Sequence, residues 1–132
     1  MQTLNDRFVK GYEDDAGADI ILTEGVVFAA HSTTVVDLRV KANIPVRESG
    51  FLFARTSAAK QGLIVATCPI DPNYSGSINA IVHNVSDEDV FYGAGEAFCQ
   101  IVVVPFVPVK ADKVKKKGTR TDGAFGSTDN KE

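Results

Sequence analysis

The sequence predicts an all-β protein, a compact barrel or jelly roll built from many short strands. Two segments alternate apolar and polar residues with the period of two that a half-buried strand requires. Clusters of turn-forming residues recur between the apolar runs at close spacing. Only residues 57–61 read as helix, a turn or two closed by Gly62 in the position where a helix needs a left-handed residue.

Residues 26–30 form the first strand candidate. Residues 33–40 follow, with Val36, Leu38 and Val40 on one face and Asp37 and Arg39 on the other. Arg47-Glu48-Ser49-Gly50 reads as a turn that launches a strand over residues 50–54. After the helical turn comes a strand at residues 63–67, and then the turn Asp71-Pro72-Asn73. Residues 78–83 alternate Ile78, Ala80 and Val82 with Asn79, Ile81 and His83. Ser86-Asp87-Glu88-Asp89 and Gly93-Ala94-Gly95 bracket a strand at residues 90–92, and the β-branched run 98–104 is the last. Pro105 and Pro108 end it, because proline cannot donate to a ladder. No internal repeat is present.

The 132 residues make one domain, residues 1–109, followed by a polar arm, residues 110–132. No apolar run approaches the roughly 20 residues of a membrane span, and the N-terminus lacks a signal-peptide core. Cys68 and Cys99 lie in apolar runs without a CxxC or Cys/His cluster, which predicts buried free thiols in a reducing compartment and a cytoplasmic protein. Net charge is unevenly spread. Residues 1–109 carry seven Lys/Arg against thirteen Asp/Glu, whereas residues 110–120 carry six bases against Asp112 alone. An acidic body is a poor nucleic-acid surface, so neither a nucleic acid nor a membrane is expected as partner. The lysine-rich stretch reads either as a solvated linker or as an arm that supplies positive charge to a polyanionic small ligand.

Five clusters combine special backbone residues with functional groups. In Asp15-Ala16-Gly17-Ala18-Asp19-Ile20, small residues suit a tight turn flanked by two carboxylates, a pattern compatible with Mg²⁺ binding, direct or through water. Arg55-Thr56-Ser57 stands where a strand meets the helical turn. There a hydroxyl is expected to cap the helix, and the arginine beside it suits phosphate. In Ile70-Asp71-Pro72-Asn73-Tyr74-Ser75-Gly76-Ser77-Ile78-Asn79, a carboxylate follows an apolar segment and precedes a turn, so it can be held rigidly in a cleft, with Tyr74 offering a ring face. Gln100 is the polar member of an apolar strand and needs a partner if buried. Arg120-Thr121-Asp122-Gly123-Ala124-Phe125-Gly126-Ser127-Thr128 sets a guanidinium, a lone ring and a Ser-Thr pair in a tail where no core can form. Such a set can close over a ligand that is both flat and anionic.

Taken in order, these clusters resemble the five motifs of the trimeric dUTPase family over nearly the whole chain. Asp15 to Ile20 is similar to DAGxDL, Arg55-Thr56-Ser57 to RSG, the Asp71 cluster to IDxDYxG, Gly95 to Ile101 to GDRxAQL, and Arg120 to Thr128 to RGxGGFGST. The resemblance implies a β-jelly-roll subunit in a homotrimer, with each site drawn from several subunits and the C-terminal arm exchanged. It implies hydrolysis of dUTP to dUMP and pyrophosphate, with Asp71 as general base for the attacking water. Ile70, Tyr74 and Asn79 would form the nucleoside part of the site, Tyr74 packing on the deoxyribose and backbone near Asn79 reading uracil. Arg55, Thr56, Ser57 and Gln100 would hold phosphates. Asp19 would fix Mg²⁺ through its water shell. Arg120 would grip the γ-phosphate and Phe125, with Gly126, would cover the base, while Ser127 and Thr128 add phosphate contacts. The short length suggests a phage or bacterial member, which for a phage protein means the host cytoplasm.

The chain departs from the family pattern at five places. Thr56 replaces a serine, Ser57 and Ala124 replace glycines, Ala97 replaces a basic residue, and Asp129 follows the terminal motif where glycine is usual. Arg55 to Gly62 and Ile70 to Gly76 also resemble dCTP deaminase. That enzyme's proton-moving glutamate is matched here by Ile81, and its arginine by Lys60, which disfavours deamination. A catalytically silent nucleotide-binding regulator is the remaining alternative, and the presence of Asp71 and the arm weighs against it.

Overall fold

The computed structural model describes residues 7–116. Its strands are all antiparallel and fall into three small sheets. The largest joins β1 (Phe8–Val9), β2 (Gly17–Ile20), β9 (Cys99–Pro105) and β5 (Glu48–Ala54), in that spatial order. A second pairs β3 (Val26–Phe28) with β8 (Val90–Tyr92), and a third runs β4 (Ser32–Asp37), β7 (Asn79–Asn84), β6 (Leu63–Val65). Inward residues of all three meet in one buried cluster: Ile20 and Leu52 from the first, Phe28 from the second, Leu63 and Val82 from the third. Phe98 lies at its centre, edge-on to Phe28 at 5.0 Å and to Tyr92 at 6.0 Å. Such edge-to-face pairs add about 0.5–1.5 kcal/mol to burial. The architecture is the all-β, jelly-roll-like barrel that the alternation predicts. Among the described residues, no helix is long and apolar enough to cross a membrane.

Several elements differ from the sequence-based expectation. Residues 15–20 are not simply a tight turn, because Gly17–Ile20 is strand β2, recruited by β9 on one side and β1 on the other. The turn expected at residues 47–50 lies earlier. The Glu48 amide donates to the Pro45 carbonyl, Arg47 takes a left-handed φ of 68°, and Glu48 already opens β5. β4 ends at Asp37 rather than at residue 40, since Arg39 has a φ of 56° and its amide donates to the Asp37 carboxylate. The burial alternation continues through Leu38 and Val40 all the same. β6 is shorter than expected, ending at Val65. Of the two free cysteines, Cys99 is fully buried and Cys68 only partly so.

The helical turn α1 (Thr56–Lys60) is capped by Arg55, with no side-chain cap bond. Neither Thr56 nor Ser57 is therefore an N-cap, and both residues are exposed. Gly62 follows with a φ of 99°, and a Cβ there would lie 2.9 Å from the Ser86 Cβ, so both conformation and space demand glycine.

Candidate active site

β9 carries Gln100 directly between Asp19 of β2 and Phe53 of β5. Side chains of this row that point outward from the sheet share one face, which brings Asp19 and Gln100 together. Arg55 follows β5, and its amide donates to the Phe98 carbonyl at 2.8 Å, extending the ladder by one bond. From there its side chain reaches back across β9. Its Nε stands 3.2 Å from Asp19 Oδ2, and one terminal nitrogen donates to the Ala97 carbonyl at 3.0 Å. Among the described residues the guanidinium is thus held by Asp19 and the Ala97 carbonyl, while its side chain stays 40% exposed.

Asp19, Arg55, Thr56, Ser57 and Gln100 line a single cleft of about 510 Å³, together with Asp15 and Gly17. With only five residues, α1 contributes first-turn amides lacking intrahelical acceptors rather than a developed macrodipole. Gly17 has a specific steric role. A Cβ on it would lie 2.3 Å from Gln100 Oε1, so the Gln100 carboxamide occupies the space a side chain would take. The amide nitrogen of Gln100 makes a long bond, 3.4 Å, to the Ala54 carbonyl. Guanidinium, hydroxyls, amides and a carboxamide around an open cleft suit a polyanion. Behind this row, burial and then the Asp19 charge push the Cys99 thiol up to about 12, so it stays neutral.

Asp71 belongs to a different part of the molecule. Ile70 exchanges both backbone hydrogen bonds with Gly50 at the start of β5, and its carbonyl also accepts from the Ser49 hydroxyl. Ile70 is itself 3% exposed, so it acts as the anchor that presents the half-buried Asp71. Pro72 and Asn73, the latter with a φ of 66°, turn the chain back, and the Tyr74 amide donates to the Asp71 carbonyl. Tyr74 lines a second cleft, about 420 Å³, with Lys41, Asn43, Ile44, Asn73 and Ser75. Asn79 lies at the start of β7, its amide donating to the Ser77 carbonyl. The structure therefore brings the sequence-predicted phosphate residues together and sets Asp71 and Tyr74 apart from them. Arg120, Phe125, Gly126, Ser127 and Thr128 lie outside the described residues.

Lys41 and Asn43 were not singled out by the sequence. They enter the Tyr74 cleft because the Asn73 amide donates to the Ile44 carbonyl, a contact 29 residues apart that no local pattern announces. Among the described residues, no group of three or more His, Cys, Asp or Glu could cage a metal ion. Asp19, paired with Arg55 and sharing its cleft with Asp15 alone among carboxylates, suits a hydrated Mg²⁺ carried by a ligand better than a dedicated protein site.

Comparison with known proteins identifies the family. The family model described as dUTPase matches residues 6–129, a span that includes every one of the five clusters. The deoxyuridine 5′-triphosphate nucleotidohydrolase of a Picosynechococcus species is 34% identical over 122 residues, covering 89% of this chain and 86% of that protein. The Pol polyprotein of equine infectious anemia virus is 27% identical over 121 residues, covering 88% of this chain. This chain spans only 10% of that polyprotein's length. Among solved structures, the dUTPase of Streptococcus mutans superposes with a TM-score of 0.70 at 30% identity, covering 79% of this chain and 88% of that one. By motif order, sequence and fold, this chain belongs to the dUTPase family.

Proposed function

We propose that the protein is a dUTP diphosphatase, breaking the bond between the α-phosphorus and its bridging oxygen to release dUMP and pyrophosphate. Water supplies the new oxygen on the α-phosphorus, and Asp71 takes its proton as general base. Tyr74 supports the deoxyribose, and backbone near Asn79 reads uracil. Arg55, Thr56, Ser57 and Gln100 bind the phosphate chain by charge-assisted hydrogen bonds. Mg²⁺, when bound to the triphosphate, neutralises its charge, and Asp19 is the residue that would accept hydrogen bonds from the ion's water shell. Arg120, Phe125, Gly126, Ser127 and Thr128 would close the site.

The observation that carries this reading is the spacing of the two half-sites along β5. Gly50 holds Ile70 and Asp71 at one end, and Arg55 follows the other. Five residues of strand, at about 3.3 Å each, separate them by roughly 16 Å. Neither half is a complete site for one nucleotide. A homotrimer resolves this, because the Arg55 cleft of one subunit then meets the Asp71 and Tyr74 loop of its neighbour, with the arm exchanged between them.

Incubating the protein with Mg²⁺ and dUTP or dCTP in turn, followed by product identification, tests the proposal. dUMP with pyrophosphate is expected from dUTP. Formation of dUTP from dCTP would establish deamination instead, and tight binding without turnover would mark a silent regulator.

A further inference from the structure

The Tyr74 cleft has a second wall, built by a segment that lies outside all five clusters. Residues 38–44 run beside residues 73–78 and are pinned to them at three points. The Leu38 amide donates to the Ile78 carbonyl at 2.9 Å, the Ile78 amide to the Val40 carbonyl at 2.9 Å, and the Asn73 amide to the Ile44 carbonyl at 3.3 Å. Between those points Val40, Ala42 and Ile44 are buried in the core. The alternate residues, Lys41 and Asn43, are exposed, and both line the cleft with Tyr74. Among the described residues of that lining, Lys41 alone is charged. Arg39, two residues before it, is paired with Glu24 at 3.0 Å, whereas no described residue bonds to the Lys41 ammonium.

We propose that Lys41 binds the α-phosphate of the nucleotide whose sugar rests on Tyr74, as a substrate-binding residue from the same chain as Asp71. An ammonium donates three hydrogen bonds and accepts none, and its charge favours an anion over a neutral acceptor. A sugar seated on Tyr74 carries its α-phosphate only one methylene and one oxygen away. The flexible four-carbon stem of lysine can follow a phosphate across an open cleft. The Tyr74 amide donates to the Asp71 carbonyl, so the base is tied to the residue that supports the sugar. In the proposed trimer the Arg55 cleft comes from a neighbouring subunit. Lys41 gives the Asp71 half a cation of its own, in a body where residues 1–109 carry seven Lys/Arg against thirteen Asp/Glu.

This inference rests on the dUTP hydrolase reading. The test measures competitive inhibition of dUTP hydrolysis by deoxyuridine and by dUMP, which differ only in the phosphate, at two salt concentrations. Wild type and Lys41→Gln are compared, with thermal unfolding as a check that this exposed substitution is tolerated. Lys41→Gln should weaken dUMP by about fivefold, the effect of one exposed charge-assisted contact, and leave deoxyuridine unchanged. Added salt should weaken dUMP more in the wild type than in Lys41→Gln. An unchanged dUMP inhibition constant or salt dependence in Lys41→Gln, or an equal loss for both ligands, overturns the proposal. A wild type that hydrolyses no dUTP overturns the underlying reading instead.

Discussion

Replacing Gly17 with alanine tests whether the Gln100 carboxamide is a working part of the phosphate cleft. The added Cβ would stand 2.3 Å from Gln100 Oε1, 3.1 Å from its Cδ and 3.3 Å from a Val102 methyl. Ordinary contact begins near 3.4 Å, so the carboxamide must retreat by about 1 Å. It can do so easily, because Oε1 ends a flexible side chain and the Ala54 bond that restrains it is long, at 3.4 Å. Stability should therefore change little. Alanine in a strand gains about 0.5–1 kcal/mol over glycine, against about 1 kcal/mol for the lost hydrogen bond. Activity should change much more. A hydrogen bond to a charged phosphate contributes about 1.5–3 kcal/mol, so its loss lowers kcat/KM by about 10- to 100-fold. The assay is pyrophosphate release from dUTP with Mg²⁺, paired with thermal unfolding, for Gly17→Ala, Gln100→Ala and the double variant. If Gln100 carries the effect, the double variant is no worse than Gln100→Ala. Wild-type kcat/KM in Gly17→Ala, or a double variant that loses a further tenfold, refutes the reasoning.

Asp71→Asn keeps the shape of the base but cannot take a proton, so turnover should fall by about 10²- to 10⁴-fold while a non-hydrolysable dUTP analogue still binds; an unchanged kcat removes Asp71 from the mechanism. Deleting residues 119–132 should abolish most dUTP hydrolysis and leave the oligomer intact by light scattering, whereas a fully active truncation makes the arm a mere tail. Cys99 favours its neutral form in the folded protein, with a pKa raised from 9.0 to about 12 by burial and by Asp19. Its contribution to stability is therefore full below the unfolded value and declines as pH rises from about 9 towards 12. Denaturant titrations should show that decline in the wild type and a shallower one in Cys99→Ala, and a native-state thiol reagent should modify Cys68 first.

Much of the fold was legible because it is written locally. The alternation at Ile78, Ala80 and Val82 survives as buried positions, the last two in β7, and Gly62 ends the helical turn with the left-handed φ expected of it. β2 was not legible, since Gly17-Ala18-Asp19 contains no residue that favours strands. Its conformation is imposed by β9, a partner some eighty residues away. The end of β4 was hidden for the opposite reason. Arg39 breaks the ladder with a positive φ that an arginine does not advertise, while the alternation of burial carries on past it. At the site, the motifs named Asp19, Arg55 and Gln100, yet their meeting in one cleft depends on register across three strands. The separation of Asp71 from that cleft depends on the Ile70–Gly50 bridge, which has no counterpart in local sequence.

That bridge has a consequence for mixtures of defective chains. In the proposed enzyme, β5 works as a ruler that sets the Asp71 loop and the Arg55 guanidinium of any one chain into different halves of the site. A chain lacking a functional Asp71 still owns an intact Arg55 cleft, and a chain lacking Arg55 still owns an intact Asp71 loop. Each is expected to form an inactive homotrimer alone. Denatured and refolded together, the two should complement each other, since a mixed trimer brings a sound cleft against a sound loop and regenerates an intact site. In genetic terms the two lesions belong to one gene product yet should complement each other, because the proposed site lies at the seam between subunits.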